Sequence, residues 1–290
     1  MTRCATPRVN PRLVTDDRRF PLDAGSVMIG TRQAGVGKNQ MPRVAITSEL
    51  NPGPNCLLVF VDETGHEELA GNETIFAVGG CAILARGLKQ GLHDPWREVR
   101  TIVNGDSEAP LHASDFTRDA RPGHVEAIGA FFARPTFYRL AAVGSKATTY
   151  CDTLALAEVI LAVLGRRIQE IVDRATPESV TVIFEHTERA EQIYEQYFSG
   201  IRFTCRGRDL PVDLCWMPKS ANDPALEVSD FIMHAVRGQE RQWLSGMQSE
   251  YRKDFRAVFM SVSGSLVSFM RVGSVVDQQD MLQVNSQILG

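Results

Sequence analysis

The chain has 290 residues, 43% of them apolar and 23% charged, an ordinary balance for a globular protein and length enough for a sizeable core. Its formal charge of −4 is unevenly spread: residues 1–50 carry eight Lys/Arg against four Asp/Glu, and the rest carries 23 against 31. No apolar run reaches the ~20 residues of a membrane span, no apolar signal core follows the N-terminal arginines, and the six cysteines form no CxxC pair. The expectation is a soluble, cytoplasmic protein with reduced thiols and no membrane partner, its basic arm and acidic body compatible with nucleic-acid contact.

Residues 1–55 show no helical or strand period, and prolines at 7, 11, 21, 42, 52 and 54 interrupt them. They are expected to form a disordered basic arm, with Met28 and Met41 as alternative starts. Ala34–Asn39 (AGVGKN) imitates a phosphate-binding loop. The spacing puts Arg32 at the first glycine position and Asn39 after the lysine, so the loop lacks its turn residue and its magnesium-holding hydroxyl.

From Leu57 the pattern becomes regular. Strands are expected at Leu57–Asp62 and Ile75–Leu84, then a polar linking region carrying LHASDF at Leu111–Phe116. A helix over His124–Ala133, a strand over Thr136–Ser145 and a long helix over Thr153–Ala175, apolar on nearly every side in its first half, follow. Ser179–Phe184 reads as a strand, Arg189–Phe198 as a helix, Leu210–Met217 as a strand and Leu226–Trp243 as a helix, with a further strand over Ser265–Val272. Strands first adjacent and then alternating with helices imply one mixed α/β domain over 56–260, followed by a C-terminal extension over 261–290.

Three acids are placed against apolar elements. Asp62 closes the first strand and Glu185 the SVTVIF strand, while Asp230 lies on the late helix, where Glu227, Asp230, His234 and Arg237 fall within an arc of about 80°. If the two strands are neighbours and the helix crosses their ends, Asp62, Glu185 and Asp230 converge. Clustered carboxylates need cations, and oxygen-only ligation suits Mg²⁺ or Mn²⁺. Alternation along the strand turns Glu63 away from Asp62, leaving Glu63 a secondary candidate. Asp62 also has a plain role as a turn former before Gly65, and Glu188 competes with Glu185 as an acid at a helix start. Lys219 and Ser220, just before the late helix, are candidate phosphate contacts, and His112 and His234 are candidates for proton transfer or positioning. A transition-metal site on His112, His186 and His234 would lack any short-range ligand spacing.

VDETG at Val61–Gly65, LHASDF at Leu111–Phe116 and PALEVSDFIMHA from Pro224 together resemble the bacterial and phage family called domain of unknown function 3800. Asp62, Glu63, Thr64 and Gly65 match its D-E-S-G strand end with Thr for Ser, and His112 matches its small histidine motif. Leu226 to Asp230 match its late helix, with Glu227 for Gln and Ser229 for Ala. The resemblance spans about Leu57–Arg237. It implies an RNase H-like sheet flanked by helices and a metal-dependent nuclease. Together with the strand-end reading of Glu185, the expected site is Asp62, Glu185, Asp230 and His112, acting on RNA, DNA or a hybrid. The alternative is a non-catalytic RNase H-fold module of a phage, plasmid or defence system that binds nucleic acid or a protein. Oligomeric state stays open.

Overall fold

The computed structural model describes residues 45–46, 52–66, 74–115, 121–145, 156–198, 200–245 and 267–271, all within the unit Gln40–Gly290. The AGVGKN segment, Cys4, Cys151 and most of the expected arm and C-terminal extension lie outside these residues, as do the side chains of Glu188 and Trp243.

In chain order the strands are β1 (Ala45–Ile46), β2 (Cys56–Gly65), β3 (Ile75–Leu84), β4 (Tyr138–Ser145), β5 (Ser179–Glu185), β6 (Thr204–Cys205), β7 (Arg208–Asp209), β8 (Val212–Met217) and β9 (Val267–Arg271). The helices are α1 (Asp94–Asn104), α2 (Pro122–Phe132), α3 (Leu156–Ala175), α4 (Glu188–Phe198) and α5 (Pro224–Leu244). Seven strands form one sheet in the order β1-β8-β5-β2-β3-β4-β9, and β6 and β7 make a separate small hairpin. β2, β3 and β4 run as an antiparallel meander, while β5 and β8 join the other side of β2 in parallel. This is the mixed sheet flanked by helices that the sequence leads one to expect.

β2 is central, which explains its unbroken apolar run: both of its faces are covered. Cys56, Leu58 and Phe60 pack into one core layer with α1, α2 and α5. Leu57, Val59 and Val61 pack into the opposite layer with α3 and α4. No described helix is long and apolar enough to cross a membrane.

Two features depart from expectation. The sheet extends past both borders of the 56–260 span, because Ala45–Ile46 pair in parallel with Cys215–Trp216 and Val267–Arg271 with Arg139–Val143. An outer strand needs only a free ladder edge, and two residues carry no period from which it could be read. The expected linking region also contains a helix, α1, with Pro95 in its first turn and Gly105 (φ 78°) stopping it. Its inward stripe of Trp96, Val99 and Arg100 is buried but includes an arginine, which masks the apolar signal.

The helix that carries Asp230 lies unusually close to the sheet. Ser229 is fully buried, its hydroxyl 3.0 Å from the Phe60 carbonyl oxygen and 2.9 Å from that of Ala225. Opposite it is Gly80 at φ 151°, where a Cβ would stand 2.1 Å from the Phe60 oxygen and 2.5 Å from Ser229 Oγ. Only glycine fits both the backbone angle and the gap. Gly80→Ala is therefore expected to cost at least about 2 kcal/mol in urea unfolding through overpacking and backbone strain. Removing the Ser229 hydroxyl alone (Ser229→Ala) should cost about 1 kcal/mol.

Candidate active site

The pleat decides which acids meet. Asp62 follows Val61 and so faces the same side as Phe60, toward α5, whereas Glu63 faces the α3/α4 side with Val61. In β5, Ile183 lies on the α5 side and Phe184 on the other, which returns Glu185 to the α5 side. Val61 is level with Phe184 across the parallel pair, so Asp62 and Glu185 lie side by side; Glu185 ends β5, but Asp62 does not close β2 as expected, because pairing with β3 carries that strand on to Gly65. Helix α5, seated through Ser229, adds Asp230 to the same place. These three carboxylates share a cleft of about 460 Å³, lined also by Glu63, His112, Ser114, Asp115, Lys219, Asn222, Asp223, Leu226 and Glu227.

Burial, and after it the negative charge of Asp230, pushes the Asp62 carboxyl well above its ordinary value. The Glu63 backbone N–H pulls it part of the way back, and the charges of Glu185 and Glu63 push it up again. Asp230 is partly satisfied, its Oδ2 accepting the Ala113 N–H at 3.0 Å. That bond ties the LHASDF segment, helical over residues 113–115, to α5. Leu111 and Ala113 are buried and anchor the segment, while His112, Ser114 and Asp115 are exposed and line the cleft.

The remaining candidates separate. Glu63 accepts a short hydrogen bond from Tyr194 Oη and reaches only the cleft's wall. Glu185 has Lys219 Nζ at 3.7 Å. Ser220 is exposed in the turn that begins with Lys219, and neither it nor His234 is among the lining residues. His186 lies 3.5 Å from Glu191 and also lies outside the lining.

Glu227 does not share an open polar face with Asp230, as the helical arc suggested. It is only 8% exposed and is gripped by Arg100 Nη2 at 2.7 Å, Arg100 Nε at 3.0 Å and Trp96 Nε1 at 2.7 Å. Arg100 also donates to the carbonyls of Ser107 and Asn222, so one buried guanidinium binds α1, the following loop and the start of α5 together. Arg237 Nη1 reaches Thr64 Oγ1 at 3.4 Å and links α5 to the end of β2.

Asp223 is a cleft residue missed in the sequence, although the Asp-Pro pair at a helix start is a recognisable cap. Its Oδ1 accepts the Ala225 N–H at 2.8 Å, and Oδ2 faces His93 Nε2 at 3.6 Å. Burial pushes its carboxyl up, but His93 and the N–H groups of Ala225 and Leu226 outweigh that and hold it below the ordinary value. His93 is delivered by a π-helical turn, Lys89–His93, that leads into α1.

Among the described residues, no three His, Cys, Asp or Glu side chains already stand as a ligand set for a metal ion. That counts against the transition-metal site on His112, His186 and His234, of which only His112 reaches the cleft. The donor chemistry nevertheless fits a hard divalent cation. Seven of the twelve lining residues are Asp or Glu and one is Lys or Arg, while the Asp62 carboxyl is burdened by its neighbours' negative charge.

No family model matches the chain, and no curated protein matches it. Among solved structures, a chain of the PCNA:RNase HII complex from Archaeoglobus fulgidus is similar, with a TM-score of 0.32 and 15% identity over 68% of this chain and 80% of that one. Likeness at that level assigns no residue role, substrate or partner here.

Two outcomes follow from the site. Between the ordinary carboxylate value of 3.8 and its raised one, folded Asp62 keeps a proton that the unfolded chain releases. Its contribution is thus fully present below 3.8 and is lost as pH rises through the raised value, by at most about 1.4 kcal/mol per pH unit. In EDTA, Asp62→Asn should melt above the parent near neutral pH and converge with it near about pH 4; thermal unfolding across pH checks this. Glu227→Ala, which strands Arg100, should cost about 3–5 kcal/mol by urea unfolding.

Proposed function

We propose that the chain is a divalent-metal-dependent nuclease, hydrolysing phosphodiester bonds in nucleic acid at the cleft between β2, β5 and α5. The observation that carries the reading is that Asp62, Glu185 and Asp230 line one cleft, with half-buried Asp62 held toward its protonated form by desolvation and the charge of Asp230, an arrangement a divalent cation would relieve. The motif resemblance to domain of unknown function 3800 supports the same assignment.

In this reading Asp62, Glu185 and Asp230 hold Mg²⁺ or Mn²⁺, with Glu63 within reach at the wall. Such ions, when bound, lower the pKa of an attacking water and offset charge on the phosphate. The chain's own groups do the rest. The Ala113 N–H keeps one oxygen of Asp230 engaged and so fixes how the carboxylate is turned. His112, which is exposed in the cleft lining, exchanges a proton with the departing or attacking oxygen in this reading. Burial on both faces of the sheet keeps the strands from shifting as charge enters.

The competing reading keeps the fold and omits the chemistry, the chain serving as a binding module. It is favoured by the lack of a ready-made ligand set among the described residues. A labelled-oligonucleotide assay over RNA, DNA and hybrid substrates separates the two. The nuclease reading expects metal-dependent cleavage that folded Asp62→Asn and Asp230→Asn variants lose by at least about 100-fold, since even groups that merely support metal ligands are worth 10–100-fold. Parental cleavage by those variants would overturn it, and tight binding without cleavage by the parent would favour the module. His112→Ala should reduce the rate about 10²- to 10⁴-fold and remove one limb of the pH–rate profile.

A further inference from the structure

We propose that Lys219 is a tethered counter-cation of the cleft: it holds Glu185 while the cleft is empty, and passes to a backbone phosphate of the nucleic acid once a divalent cation takes that carboxylate. The inference rests on the metal-dependent reading above and assigns a residue to each side of the exchange.

Lys219 is the one Lys or Arg among the twelve lining residues, against seven acids. Its Nζ is 3.7 Å from Glu185 Oε1, with the lysine side chain 72% exposed and the glutamate 27%. An ion pair that open to water is weak and readily exchanged. A divalent ion and an ammonium group compete for the same carboxylate oxygens, and the doubly charged hard cation binds them more strongly.

The backbone beneath Lys219 is fixed while its head is not. Lys219 opens the 3₁₀ turn Lys219–Ala221, and the next residue, Asn222, is held at φ 48° with its carbonyl gripped by Arg100 Nη2 at 2.7 Å. A four-carbon stem on that anchored turn lets the ammonium swing without moving the wall of the cleft. Displaced from Glu185, it stands beside the place where a phosphate must approach the three carboxylates. Two of the seven acids are already held, Glu227 by Arg100 and Asp223 by His93; a phosphate that approaches the others meets one lysine in the lining, and this is it.

Two binding measurements on the full chain test this without turnover: Mn²⁺ titration calorimetry, and anisotropy of a labelled oligonucleotide in Ca²⁺ at several salt concentrations. Lys219→Met should bind Mn²⁺ about two- to fivefold more tightly, the range an exposed ion pair supports. The same variant should bind the oligonucleotide more weakly, with the slope of log affinity against log salt reduced by about 1. Lys219→Arg should keep both parental values. If the parent takes up Mn²⁺ but Lys219→Met changes neither property, or only one, the exchange is overturned and the metal site stands. If the parent takes up no Mn²⁺, the metal-dependent reading itself fails, and the exchange with it.

Discussion

The arrangement depends on how closely α5 lies on the sheet. A helix normally stands off a sheet by the length of the side chains between them, and at that distance Asp230 would face Asp62 across a layer of apolar groups. Here Gly80 has no side chain and Ser229 has a short one, and the Ser229 hydroxyl reaches the Phe60 carbonyl at 3.0 Å. The next residue along the helix is Asp230, and the second residue beyond Phe60 is Asp62. A steric fact about two small residues thus becomes an electrostatic fact about two acids.

The cost of that closeness is visible in the Asp62 carboxyl, which burial and the nearby charges hold toward its protonated form. The fold meets the cost with supports placed around the acids. Arg100 clamps Glu227 and the Asn222 carbonyl at the base of α5, Asp223 caps the same helix, and Arg237 ties it to Thr64 one position beyond Glu63. Each support is a polar contact at the cleft or on the helix that carries Asp230, and together they leave α5 little freedom to retreat from the like charge. A site that is unfavourable when empty and braced against relaxing meets the condition that the proposed cation binding requires.

Much of this was legible in the sequence because the strong signals are local. The apolar runs that end at Asp62 and Glu185 mark β2 and β5, and Ile75–Leu84 delimits β3 to the residue. Pleat alternation turned Glu63 toward Tyr194, although Glu63 still lines the cleft with Asp62. Where sequence reasoning failed, a polar residue was doing a buried task. Arg100 hid α1 by interrupting its stripe, and Glu227 looked like surface because its partners, Trp96 and Arg100, are about 130 residues away in the chain. The tie between Ala113 and Asp230 uses a backbone N–H, which no residue type announces. Asp223 was within reach of sequence reasoning, its place before Pro224 being the signal. Nothing in the order of residues revealed that Lys219 would stand against Glu185, since their approach depends on β5 and β8 being neighbours.

The most direct measurement is a crystal structure of the full chain soaked in Mn²⁺, with the metal located by its anomalous scattering. The account predicts at least one manganese in the cleft, about 2.1–2.2 Å from oxygens of Asp62 and of Glu185 or Asp230, with those side chains drawn together around it. A cleft that stays free of metal at saturating Mn²⁺, with the ion bound only at scattered surface carboxylates, would contradict it.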